Sequence, residues 1–140
     1  MKLITRNTDY ALRAACYIAA QRQRTVSVPE LVTKLHIPRH FLRKILQTLN
    51  QHNILLSHKG AGGGFVLARP ADKIFLLDLI RVFQGGLKIN ECMFKKSPCP
   101  NVKICALRKR IIKIEEFAYS QFKRVTLSVL MKERKKVNVK

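Results

Sequence analysis

Four of the six glycines in this 140-residue chain fall between Gly60 and Gly64. Two short apolar runs bracket them, Ile54-Leu55-Leu56-Ser57-His58 and Phe65-Val66-Leu67-Ala68, and Arg69-Pro70 stops the second. Backbone free to take positive φ between two runs of strand length specifies a β-hairpin. A nucleotide-phosphate loop is the competing use of such glycines. It fails on context, because no Lys-Ser/Thr follows them and no βαβ unit surrounds them.

A pair of short helices precedes the hairpin. Ser27-Val28-Pro29-Glu30 is a start signal: Ser27 can cap, Pro29 is tolerated in the first turn, and Glu30 completes a capping box. Leu35-His36-Ile37-Pro38 ends that helix, and the next is predicted from Arg39 to Asn50. Its apolar positions are Phe41, Leu42, Ile45, Leu46 and Leu49, and its other face carries Arg39, His40, Arg43, Lys44 and Gln47. Two short helices around a tight turn, the second with a cationic face, describe a helix-turn-helix, and a hairpin directly after it is a wing. Side chains on such a helix reach base edges and phosphates, and glycines such as Gly60 let the wing backbone approach a phosphate closely. A solvated helix of an ordinary bundle is the plain alternative.

The flanking segments complete a mainly α architecture. A first helix is predicted from Thr8, as cap, to Gln21, with Ala11, Ala14, Ala15, Ile18 and Ala19 on its apolar face. Another runs from Phe75 to Phe83 and is ended by Gln84-Gly85-Gly86. After a loop over 88–103, a long helix is predicted from Ile104 to Phe122. Ile104, Leu107, Ile111, Ile114 and Ala118 repeat on it at three and four, a stripe suited to a partner helix and hence a homodimer. Arg124 to Met131 reads as a final turn with Leu127 and Leu130 folding back, and 132–140 as a mobile cationic tail. The expected organisation is 1–86 for DNA binding, 87–105 for the cysteine loop and 106–140 for dimerisation and tail, in one structural unit.

Charge narrows the partner. The chain carries 28 Lys and Arg against 8 Asp and Glu, a net +20. Such a charge repels itself unless a polyanion is near; nucleic acid comes first and an anionic membrane surface second. No run of 18 apolar residues exists to span a membrane. The polar stretch Met1–Tyr10 lacks a signal-peptide core, so a cytoplasmic location is expected.

Four cysteines in a reducing compartment are unsuited to structural disulfides. Cys16, on the small-residue face of the first helix, reads as core packing. Cys92, Cys99 and Cys105 lie within fourteen residues in a polar, proline-containing loop, where three thiolates can reach one soft metal centre. Tetrahedral zinc and iron–sulfur clusters both accept such ligands. Tight CxxC pairs are absent, and the wider gaps suit a cluster better. The four histidines, His36, His40, His52 and His58, all fall in the DNA-facing region. With no dinucleotide fingerprint either, the sequence does not read as an enzyme.

Thr8-Asp9-Tyr10-Ala11-Leu12-Arg13, the run from Lys59 to Pro70, the cysteine triplet before the long helix and Val125-Thr126-Leu127-Ser128-Val129-Leu130 together resemble the bacterial winged-helix iron–sulfur transcription regulators typified by IscR and NsrR. The resemblance covers nearly the whole chain. It implies a homodimer on pseudo-twofold operator DNA, acting as repressor or activator, with Cys92, Cys99 and Cys105 as cluster ligands. In the IscR type a histidine three residues after the last cysteine is the fourth ligand; that position here is Arg108, which cannot serve. In the NsrR type an aspartate near the partner's N-terminus completes the site, and Asp9 stands at the matching place. The expectation is therefore an NsrR-like 4Fe–4S centre, with 2Fe–2S as the alternative, answering to nitric oxide, oxygen or iron supply. Apart from the ligand role, Asp9 is simply a helix-start residue that favours the dipole. The first cysteine gap is one residue longer than the family pattern. DNA-contact positions carried over are Pro38, His40, Arg43 and Lys44, with Lys59 in the wing. A zinc-binding or metal-free winged-helix protein without sensing is the alternative reading.

Overall fold

A computed structural model of the protein describes residues 2–89 and 99–137. Helix α1 (Arg6–Ala20) starts earlier than expected, with Thr5 rather than Thr8 as its N-cap. The Thr8 N–H donates to the Thr5 hydroxyl at 3.3 Å. Thr8 itself is fully buried, and its hydroxyl donates to Gln84 Oε1 at 2.8 Å. Gln84 also accepts the Thr5 N–H at 3.1 Å and donates to the Leu3 carbonyl at 3.1 Å. The start of α1 is therefore set by a side chain some 80 positions away, which no local capping signal reveals.

Helix α2 (Val28–Leu35) is capped by Ser27 as expected, its hydroxyl accepting the Glu30 N–H at 3.3 Å. The expected capping box is only half made. The Glu30 carboxylate is taken by Arg24, at 2.6 and 3.0 Å, and by the Tyr17 hydroxyl at 2.8 Å. His36, left-handed at φ 54°, closes α2, and Pro38 leads into α3 (Arg39–Gln51). Leu42, Ile45, Leu46 and Leu49 form its buried face. Phe41, expected inward, is 42% exposed. The buried positions occupy one side of the helix, and residue 41 projects about 100° away from residue 42, past the edge of that stripe.

Strands β1 (Leu55–His58) and β2 (Gly64–Leu67) pair antiparallel, Leu55 with Leu67 and His58 with Gly64. Reciprocal backbone bonds between Val26 and Phe65, at 2.9 and 2.8 Å, fasten this hairpin to the α1–α2 connection. The approach is so close that a Cβ on Gly64 would overlap the Val26 carbonyl.

Helix α4 (Leu76–Gln84) follows a 3₁₀ turn over Ala71–Lys73. Helix α5 (Ala106–Phe122) contributes no buried residue. From Leu127 the predicted final turn and the tail as far as Val137 are instead a further helix, α6 (Leu127–Val137), packed on α1 and the 3₁₀ turn, and 138–140 lie outside the described residues. Leu127 is fully buried, its N–H bonded to the Ile74 carbonyl, while the Leu76 N–H bonds Val125. These anchors carry the helix, and the cations that resembled a tail lie on its exposed side.

Gly64→Ala should lower unfolding stability by about 2 kcal/mol or more, because the new Cβ meets backbone that cannot move cheaply; an unchanged urea midpoint would refute the close approach. Arg24, then Tyr17, holds the Glu30 carboxyl down at about 2, from an ordinary 4.5. Its folded-state value is depressed, so its contribution is full above about pH 4.5 and is lost as pH falls towards 2. Glu30→Gln should therefore flatten the stability profile across that window, read by thermal melts at stepped pH.

Candidate nucleic-acid interface

Helix α3 and the wing face each other across an open groove, closed at one end by the start of α2. Arg39, Arg43, Gln47 and Asn50 recur at four, four and three, so they form one strip of α3 directed at the wing. Ser57, His58, Lys59 and Gly60 line the opposite wall, with Gly63, Gly64 and Phe65. Gly60 and Gly62 hold φ at 95° and 72°, which allows the tight reversal.

The electrostatics of this groove are one-sided. Arg39, Arg43 and Lys59 are exposed, and none of them is ion-paired among the described residues. Unpaired cations facing one another repel, and a phosphate backbone drawn between them relieves that repulsion while releasing counterions.

Five of the sequence-derived contact residues thus meet in one place: Arg39, Arg43, Gln47, Lys59 and Gly60. His40 and Lys44 are exposed on the outward side of α3 beyond the groove wall, and Pro38 is the N-cap of that helix. His58, one of the histidines read as DNA-facing, also lines the groove, as do Asn50, Ser57 and Ser27, which were not picked out from the sequence. The period that selects Arg43 and Gln47 reaches Asn50 as well, whereas Ser27 and Ser57 arrive only through the tertiary fold.

The described cysteines differ in environment. Cys16 is largely enclosed, and burial pushes its thiol up to about 11 against the pull of Arg134. Cys99 and Cys105 are free thiols, both partly exposed. The Val102 N–H bonds the Cys99 carbonyl at 3.0 Å and the Cys105 N–H bonds Asn101 at 2.8 Å, so successive turns carry the chain from one thiol to the other. Cys105 is the N-cap of α5, its sulfur accepting the Arg108 N–H at 3.4 Å. Cys92 lies outside the described residues. Asp9 sits in the first turn of α1 with its carboxylate on Arg13 Nε at 3.0 Å. Among the described residues no three His, Cys, Asp or Glu side chains converge as a metal site. As a donor set, two uncommitted thiols and a third cysteine in the same segment suit a soft metal or cluster.

Comparison with known proteins follows the same line. The family model for Rrf2, an iron-dependent transcriptional regulator, matches residues 4–133. Protein aau3 of Rhizobium meliloti is 30% identical over 136 residues, covering 96% of this chain and 88% of that protein. The HTH-type transcriptional regulator NsrR of Oceanobacillus iheyensis is 27% identical over 93% of this chain and 90% of its own. Among solved structures, CymR, the global cysteine regulator of B. subtilis, shares the fold with a TM-score of 0.78 at 24% identity, over 95% of this chain and 98% of that one.

Neutralising Arg43 or Lys59 should weaken binding to duplex DNA. Where the lost contact is to a phosphate, the slope of log K against log salt should fall by about 1. Fluorescence anisotropy at stepped salt reads this, and an unaltered affinity in both variants would place the duplex elsewhere.

Proposed function

This chain belongs to the Rrf2 family of transcriptional regulators, and from that premise we propose that it binds operator DNA as a homodimer through the α3–wing groove, under control of an iron–sulfur cluster on Cys92, Cys99 and Cys105. The observation that carries the DNA reading is the strip of unpaired cations on α3 facing the wing. Its charge suits a helix laid in the major groove with the wing on the adjoining backbone.

Support for the homodimer comes from α5. Ile104, just before it, is 76% exposed, and Leu107, Ile114 and Phe117 on it are 67%, 54% and 66% exposed. Burying such a strip against its copy removes apolar surface from water at roughly 25 cal/mol per Å². A twofold axis along α5 would present two α3 helices to one duplex, as operator symmetry requires.

The cysteine segment lies between the DNA-binding elements and α5. A cluster bound there supplies a soft, redox-sensitive centre that oxygen, nitric oxide or iron shortage can dismantle. Only a group that favours one dimer geometry shifts the equilibrium between two. Arg108 leaves no histidine at the position three after Cys105. Asp9 of the second copy is the proposed remaining ligand, and binding there requires its carboxylate to leave Arg13, at 3.0 Å. A 4Fe–4S centre is the proposed nuclearity.

The test is protein purified without oxygen. Iron and acid-labile sulfide should be present with a visible absorption band, and Cys99→Ser and Cys105→Ser should abolish both. Treatment with EDTA and ferricyanide should change operator affinity by tenfold or more, about 1.4 kcal/mol. A colourless, iron-free preparation fully competent for its operator would instead identify a zinc-bound or metal-free regulator.

A further inference from the structure

The recognition helix carries one side chain that neither the core nor the cationic groove accounts for. Phe41 stands in the first turn of α3, 42% exposed, with its ring against His40 at a centroid distance of 4.1 Å and a tilt of 39°. Phe41, Lys44 and Thr48 recur at three and four and form the strip of α3 turned away from the wing. The Thr48 hydroxyl is occupied by the Lys44 carbonyl at 2.9 Å, so this strip offers few free hydrogen-bonding groups. His40 and Lys44, both exposed, flank Phe41 on the helix surface.

An exposed apolar ring at the edge of a cationic helix is poorly placed for a protein core or a second apolar face. It is well placed for a polyanion that exposes apolar groups between its phosphates. In the major groove of a duplex the thymine C5-methyl is that group, and the N-terminal turn of a recognition helix is the part that reaches base edges. A phenyl ring forms no hydrogen bond with a base edge, so its contribution to recognition is methyl contact.

We propose that Phe41 is a specificity-determining residue that packs on a thymine methyl of the operator, braced by the His40 ring. The wing-facing strip then holds phosphates and base edges by charge and hydrogen bonding, and the opposite strip selects thymine by apolar contact. This inference rests on the operator-binding reading and adds to it the base that one residue selects.

The experiment uses the full chain. Wild type, Phe41→Ala, Phe41→Leu and Arg43→Ala are each used to select sites from a random duplex pool. Each thymine of the wild-type site is then replaced in turn by deoxyuridine, which removes the methyl and leaves the hydrogen-bonding edge intact. Wild type should lose about threefold to tenfold in affinity at one thymine per half-site, the size expected for one desolvated methyl. Phe41→Ala should lose its preference at that position and be indifferent to deoxyuridine there, and Phe41→Leu should keep part of both. If Phe41→Ala does not fold, the Leu variant and the wild-type deoxyuridine scan decide. No methyl-sensitive thymine, or one that stays equally sensitive in the Phe41 variants, overturns the inference. Should Arg43→Ala alter the selected site while the Phe41 variants do not, only this inference fails. A wild-type chain that selects no sequence overturns the operator-binding reading together with it.

Discussion

The pair of backbone hydrogen bonds between Val26 and Phe65 holds the wing against the helical body, beside the groove to which the proposed function is assigned. Without it, a two-stranded hairpin of four residues per strand is marginal in water. With it, the wing becomes a third-strand extension of the α1–α2 connection and stands at a set distance from α3. Gly64 makes this possible, because any side chain there would collide with the Val26 carbonyl. The same glycine cluster that forms the turn thus also sets how close the wing lies to the helical body.

That body is built round α1. Its small residues Ala11, Ala14 and Ala15 are fully buried, which lets α3, α4 and α6 crowd against it. Gln84 then ties the segment before α1 to the end of α4, next to the chain's departure towards the cysteines. The N-terminal turn that holds Asp9 and the end of α4 are consequently parts of one hydrogen-bonded unit, shortly before the cysteine segment in sequence. On the proposed reading, a change at the cysteines has a short physical path to α1 and, through the core, to α3.

The DNA-facing part of the fold was legible because its signals are local. Ser27 as cap, Pro38 as break, the glycine turn and the period of Arg39, Arg43 and Gln47 are all written within a few residues of the structure they specify. Features that depend on distant partners were not. Thr5 caps α1 because Gln84 claims Thr8, and Glu30 forsakes its capping box because Arg24 is near. Helix α6 was concealed by the basic run after Met131, although Leu127 is buried far from it in sequence. Phe41 was assigned inward by residue type, and its position just outside the buried stripe reverses that assignment. Cys99 and Cys105, read from the sequence as cluster ligands, are free thiols in the structure, and Cys92 lies outside the described residues.

On the proposed reading the α3–wing groove, rather than the net charge of +20, binds the operator. The most direct measurement compares two triple variants at stepped salt, with specific and scrambled duplexes. One neutralises Arg39, Arg43 and Lys59 in the groove, and the other neutralises Lys109, Lys113 and Lys135 on α5 and α6, leaving the same net charge. The groove variant should lose discrimination between the duplexes and shed roughly three units of salt slope, while the distal variant keeps its discrimination. Equal losses in both, or loss of discrimination only in the distal variant, would contradict it.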